Sequence, residues 1–216
     1  MRNVNPVVDS PTHFGMNPFA WLRMLKGVFG YKLLMMLFCS QHILKGFVMA
    51  YAATAADFLF RTYELQGPQL QIYKAIMGLP WALKPIIGVV SDTLPIMGYK
   101  KAPYIMIVTV LAMVGFGYVA LSPDQSPLPA ILCGLICGTL QSSLVDLLTE
   151  AKYSEQMRAH TEYGPDLVTF VWSGVTLGGL VATSSVGFLL QYGGGPKTVY
   201  AVCAIASSII FLPTSL

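Results

Sequence analysis

The sequence predicts an all-α membrane protein of six helices, and three observations carry that prediction. Of the 216 residues, 55% are hydrophobic and 11% charged, where a soluble domain has about 25% charged. So few charges cannot cover a water-exposed surface, which makes lipid the natural solvent. Apolar segments recur at the length of about 20 residues that crosses a hydrocarbon core of about 30 Å. The Lys and Arg residues, finally, gather on one side of the resulting topology.

Five full spans fall at 33–56, 70–90, 103–121, 128–148 and 167–190, and a sixth runs over 198–216. Breakers punctuate the connections: Gly67-Pro68, Ser122-Pro123, Gly164-Pro165 and Gly193-Gly194-Gly195-Pro196. Residues 1–32 form an N-terminal segment in which Trp21, Leu22, Leu25, Val28 and Phe29 recur at helical spacing, with Arg23 and Lys26 off that face. That pattern suits either an interfacial helix or a basic flank of the first span, and both readings stay open. No secretory signal peptide is visible: the first 27 residues carry Asp9, His13, Arg23 and Lys26 and lack a compact apolar core.

With the N-terminus in the cytoplasm, eight basic residues lie on that side (Arg2, Arg23, Lys26, Lys32, Lys100, Lys101, Lys152, Arg158) and two, Arg61 and Lys197, on the other. This is the positive-inside bias. The formal charge of +3 is too small to suggest a nucleic-acid partner. The four cysteines, Cys39, Cys133, Cys137 and Cys203, sit in apolar stretches and read as packing residues, not as a disulfide framework or a metal site. No cofactor is expected. His-Glu-x-x-His, Gly-x-Ser-x-Gly and Gly-x-Gly-Asp are all missing, which ranks an intramembrane enzyme last.

Charges inside a membrane cost several kcal/mol each and should be few and paired. Lys45 lies near the middle of span one with Gln41 a turn before it and His42 beside that. Lys45 reads either as a contact for an anionic ligand or as a cation neutralised by an acid on a neighbouring helix; His42 reads as a packed polar side chain. In span two, Leu79-Pro80-Trp81-Ala82-Leu83-Lys84-Pro85 brackets a Trp and a Lys with prolines. Pro85 lacks an amide hydrogen and crowds the preceding turn, so a kink or loosened turn is expected there.

In span four, Ala130, Gly134, Gly138, Ser142, Asp146 and Glu150 recur every four residues, small above and acidic below. Gly134 and Gly138 suit close helix contact. Asp146 falls at the depth of Lys84, so the two are expected to pair; as a two-member pair, losing both should damage folding less than losing either. Glu150 sits near the interface. Span five carries Gly174, Gly178 and Ala182 on one side, with Gly179, Thr183 and Gly187 beside them, a helix suited to close packing.

The segment Gly88-x-x-Ser91-Asp92 with Gly98-Tyr99-Lys100-Lys101 resembles the loop between spans two and three of major facilitator transporters, although the second Gly stands six residues after the Asp instead of three. The longer string Pro80-Trp81-x-x-Lys84-Pro85-x-x-Gly88-x-x-Ser91-Asp92-x-x-Pro95-x-x-Gly98-Tyr99-Lys100-Lys101-x-Pro103-Tyr104 is similar to the folate–biopterin transporter family, as is Asp146-x-x-x-Glu150. The resemblance implies a twelve-helix secondary transporter of folate, biopterin or related pteridines in the plasma membrane, of which this chain is the six-helix N-terminal half of a major-facilitator-type bundle. A C-terminal half or a second copy would complete it. Lys45, Lys84 and Gln41 would then face substrate, with Trp81 as a stacking surface. Asp92, Lys100 and Lys101 would form the gate, and Asp146 with Glu150 would serve gating or coupling. Transport of another metabolite, such as S-adenosylmethionine, is the alternative within the family; a non-transporting scaffold or regulatory fragment is the alternative outside it.

Overall fold

Helix α1 (Pro18–Phe29) begins where Asn17 turns its side-chain oxygen onto the amides of Phe19 and Ala20, with Pro18 preset for the first turn. This computed structural model describes residues 17–96, 98–99, 101–124 and 126–214. Among these the architecture is helical throughout, apart from a two-residue bridge between Ile96 and Tyr99. Gly98 makes that turn, its φ of +83° lying in the region that a side chain disfavours. Helix α1 packs on the bundle through Leu25 and Phe29, which join Leu33, Leu37, Leu167 and Phe170 in a small apolar cluster. Trp21 Nε1 donates to Asp166 Oδ1 at 2.9 Å and ties α1 to the start of the helix over Gly164–Tyr192.

The first long helix runs from Tyr31 to Arg61 in three parts: α2 (Tyr31–Leu37), a π-helical segment (Phe38–Val48) and α3 (Met49–Arg61). A π segment of 11 residues is long, since π turns mostly occur singly and often at functional sites. The following stretch is broken, as its prolines require. It consists of α4 (Gly67–Met77), α5 (Leu79–Ala82) and α6 (Lys84–Thr93), with Pro80 and Pro85 each in the first turn of a new helix. Then come α7 (Ala102–Leu121), α8 (Leu128–Ala159), α9 (Gly164–Tyr192), α10 (Pro196–Ser207) and, after one 3₁₀ turn, α11 (Phe211–Thr214).

Five of these helical stretches are long and apolar enough to cross a membrane: Tyr31–Arg61, Ala102–Leu121, Leu128–Ala159, Thr161–Tyr192 and Pro196–Pro213. The interrupted stretch α4–α6 is not among them, because no one of its pieces reaches that length. The outer face of α7 exposes Ile107, Val110, Val114 and Leu121, apolar surface that suits lipid contact.

Glycines decide which helices touch most closely. Gly115 on α7 and Gly134 on α8 meet backbone to backbone: a Cβ on Gly115 would lie 2.6 Å from the Gly134 carbonyl oxygen, and one on Gly134 2.7 Å from that of Gly115. Gly46 in the π segment meets the backbone of Val175 on α9, while Gly178 approaches the His42 carbonyl and Gly174 accommodates the His42 ring. His42 sits between Phe38 and Phe170, with Nε2 at 3.0 Å from the Phe170 carbonyl oxygen. These contacts are packing, the use expected of the span-five glycines and of His42.

Candidate substrate site around Asp146

Asp146 is the focus of the polar interior. It lies on α8 and is 3% exposed. One of its oxygens, Oδ1, accepts from Lys45 Nζ at 2.9 Å and from Gln41 Nε2 at 3.0 Å; the other, Oδ2, accepts from Lys84 Nζ at 2.5 Å. Gln41 also donates to Thr149 Oγ1 at 2.9 Å, and the Thr149 hydroxyl in turn donates to the Val145 carbonyl. The expected Lys84–Asp146 pair is therefore two-thirds of a triad, in which Lys45 is the second cation.

Local structure explains the convergence. Gln41 and Lys45 lie four residues apart in the π segment and project to one side. Lys84 is the first residue of α6, placed there by the break at Leu83 and the proline that follows. Asp146 and Thr149 are three apart on α8 and share its face. Three separate elements thus each contribute a polar group to one point.

Charge does not balance there. Two ammonium groups share one carboxylate, which leaves a net charge of about +1 in a low-dielectric surrounding. Aromatic faces cover the cations: Lys84 Nζ stands 4.2 Å from the Trp81 ring centre, and Lys45 Nζ 5.1 Å from that of Trp172 and 6.0 Å from that of Trp81. Such contacts stabilise a cation by roughly 0.5–2 kcal/mol without neutralising it. Both lysines remain about one-fifth exposed, at 21% and 20%, whereas Asp146 is covered. Part of each lysine side chain is open, and the carboxylate is closed off.

Of the residues singled out from sequence, the structure brings Gln41, Lys45, Trp81, Lys84 and Asp146 together. It leaves Asp92 and Glu150 exposed, and neither they nor Lys101 form an ion pair among the described residues. Lys100 lies outside those residues. Sequence reasoning missed Thr149, Trp172 and the ion pair between Asp57 on α3 and Lys74 on α4. The spacing from Asp146 signals Thr149, and the need of Lys74, in span two, for a partner would have signalled the pair with Asp57; nothing local signals Trp172. Among the described residues no three His, Cys, Asp or Glu side chains gather as metal ligands.

Comparison with known proteins identifies the family. The BT1 family model matches residues 45–215, which contain Lys45, Trp81, Lys84 and Asp146. The chain belongs to the BT1 family. Its relatives include the probable folate-biopterin transporter 4 of Arabidopsis thaliana, 28% identical over 79% of this chain and 35% of that protein. The probable folate-biopterin transporter 6 of the same plant is 25% identical over 90% of this chain and 39% of its own length. The folate-biopterin transporter of Synechocystis sp. is 26% identical over 61% of the chain and 27% of the relative. This BT1 family chain thus spans less than two-fifths of the length of these relatives. No solved structure matches it. With its apolar helices and its transporter relatives, this member of the BT1 family is a multi-pass membrane protein.

Proposed function

We propose that this chain forms one wall of a secondary active transporter that moves folate, biopterin or related pteridines by alternating access, in a major-facilitator-type arrangement. The observation that carries the reading is the unbalanced triad: Lys45 and Lys84 share Asp146 and stay reachable. A surplus positive charge beside indole faces suits an aromatic anion such as folate, with its terminal carboxylates, and disfavours a cationic sulfonium metabolite. The relatives in Arabidopsis thaliana and Synechocystis sp., folate-biopterin transporters by name, point to the same substrates.

Binding and movement are linked through α6. A substrate carboxylate that draws Lys84 toward itself loosens the contact between α6 and α8. The ligand then interacts differently with two arrangements of these helices, which is the requirement for shifting a conformational equilibrium. Asp92 lies on the same short helix as Lys84, so a movement of α6 carries it, and with Lys100 and Lys101 it acts as the cytoplasmic latch. Glu150 stands one turn beyond Asp146 on α8 and serves gating or coupling. The N-terminus is cytoplasmic, the membrane is the plasma membrane, and the opposite cavity wall comes from a second set of helices, either a C-terminal half or another copy of this chain.

Uptake of labelled folic acid tests the proposal in liposomes holding the chain, with and without a six-helix partner. Saturable uptake that requires the partner is expected. Uptake by the chain alone would establish the homodimer, and its absence in both preparations would overturn the transporter reading. In the active preparation, Asp92→Asn should slow turnover while leaving folate affinity nearly unchanged; a collapse of affinity at normal turnover would put Asp92 in the binding site instead.

A further inference from the structure

A second ion pair lies outside the Asp146 triad. Asp57 on α3 and Lys74 on α4 form an ion pair through Asp57 Oδ1. The contact is not an aligned hydrogen bond: Oδ1 is buried and has no hydrogen-bond donor. Trp81 Nε1 is likewise buried without an acceptor. Both side chains line one cavity of about 400 Å³, whose other walls include Met77, Phe116 and Ser142. The Asp57 oxygen has the Lys74 ammonium against it, whereas the Trp81 donor is left unmet, which costs on the order of 1–3 kcal/mol; native interiors leave few such groups without protein or water partners. Here the two border the same mostly apolar space, of a size typical for small-molecule sites.

We propose that this cavity is a subsite for a flat heteroaromatic ring that offers adjacent N–H donors to Asp57 and a ring acceptor to Trp81 Nε1. The inference rests on the pteridine reading above and extends it to the ring end of the substrate. An aminopyrimidinone edge has that pattern: neighbouring N–H groups donate in parallel to the two oxygens of a carboxylate, the geometry that makes bidentate pairs strong. Lys74 already neutralises Asp57, so the cavity selects hydrogen-bond donors rather than positive charge. Met77 and Phe116 supply apolar walls for the ring.

Trp81 joins this cavity to the anion-binding lysines, since Lys84 lies over its ring. Lys74 and Lys84 belong to different pieces of the broken stretch, α4 and α6, and mark the two ends. The ligand that uses both ends is therefore extended, with its donor-rich ring at Asp57 and its carboxylates at Lys45 and Lys84.

Three probes separate the ends: biopterin, which has the ring and no carboxylate; p-aminobenzoyl-glutamate, which has the carboxylates and no pteridine; and folic acid, which has both. Equilibrium binding of each is measured to the full chain in lipid nanodiscs. Asp57→Asn should weaken biopterin by about tenfold or more, the loss of a charge-assisted hydrogen bond, and change p-aminobenzoyl-glutamate by less than about twofold. Lys45→Gln should show the reverse pattern, and folic acid should suffer from both changes. Trp81→Phe, which keeps a ring and removes Nε1, should also weaken biopterin; it decides the matter alone if Asp57→Asn fails to give a monodisperse protein. Biopterin affinity unchanged in Asp57→Asn and Trp81→Phe overturns this subsite and leaves the anion site standing. Loss of biopterin binding in Asp57→Asn, with p-aminobenzoyl-glutamate unaffected by Lys45→Gln, supports the subsite and overturns the anion site. A wild-type chain that binds none of the three overturns both.

Discussion

Helix α8 has two sides with opposite construction. Toward α7 it is built from contact: Gly134 meets Gly115, and Gly138 receives the ring of Phe116, which stacks on Tyr200 of α10. Toward the π segment and α6 it is built from charge, with Asp146 and Thr149 holding Gln41, Lys45 and Lys84. The partners differ in the same way. Helix α7 is one unbroken helix of 20 residues, whereas the partners on the charged side are a π segment and a helix restarted after a proline break. Close packing without alternatives makes one side rigid, because packed cores do not deform continuously. Ionic contacts between short, interrupted elements can be exchanged for contacts with a ligand. The comparison assigns the scaffold to the glycine side and the moving parts to the charged side.

The sharpest way to break this picture is to remove its centre. Asp146→Ala strands two ammonium groups and the Gln41 amide, and should destabilise the protein by about 3–5 kcal/mol, as when one partner of a buried ion pair is deleted; yield and thermal unfolding in nanodiscs read the loss. Lys84→Ala behaves differently. It leaves Lys45 paired with Asp146, so the protein should reach the membrane with a much smaller loss of stability while folate uptake falls to background. The triad thereby revises an expectation drawn from the sequence. For a two-member pair, the double change Lys84→Ala/Asp146→Ala would be milder than either single change, but here it leaves Lys45 without its acid and should be worse than Lys84→Ala alone. A double variant as stable as Lys84→Ala would show that Lys45 does not depend on Asp146.

The glycine side should respond to volume and not to charge. Gly115→Ala places a methyl group against the Gly134 carbonyl oxygen, a backbone atom that cannot rotate away. Separation of α7 from α8 should cost about 1–3 kcal/mol, the usual range for overpacking. A lower unfolding temperature with substrate affinity retained is the expected result; a selective loss of affinity would mean that this seam also moves during binding.

The smallest effect concerns the surface. Lys197 donates to Asp124 at 2.7 Å and also to the Ser122 carbonyl, tying the start of α10 to the turn after α7. That hydrogen bond holds the Asp124 carboxyl below the ordinary carboxylate range. A carboxyl whose pKa is lowered by folding contributes stability above its unfolded pKa, and loses it as pH falls through the folded value. The group is fully exposed and screened, so the dependence is slight. Unfolding temperatures of wild type and Asp124→Asn should differ a little near neutrality and converge in acid; a gap that widened in acid would contradict the assignment.

Much of the polar centre was legible because charge in an apolar run is conspicuous. Lys45, Lys84 and Asp146 each interrupt a span, and depth alone matched Lys84 with Asp146. The break around Lys84 was equally readable, since proline lacks an amide hydrogen wherever it stands. Lys45 remained ambiguous because its acid lies 101 residues away on another helix, and no local pattern encodes that distance. Lys74 lies within or at the edge of span two, but its partner Asp57 falls just past the end of span one, where a charge is unremarkable.

The sequence by itself determined the solvent, the helical class, a kink or loosened turn at Pro85 and the short list of charges needing partners, because each follows from composition, spacing or the covalent form of proline. Only the tertiary structure decided that one carboxylate serves two lysines and that Trp81 stands between that triad and the Asp57 cavity. It also decided that residues Phe38–Val48 wind as a π-helix. Those outcomes depend on how closely α9 and α8 approach the first long helix, through Gly46, Gly174 and Gly178 on one side and Asp146 on the other. Contacts between residues distant in the chain are set by packing, which no local spacing specifies.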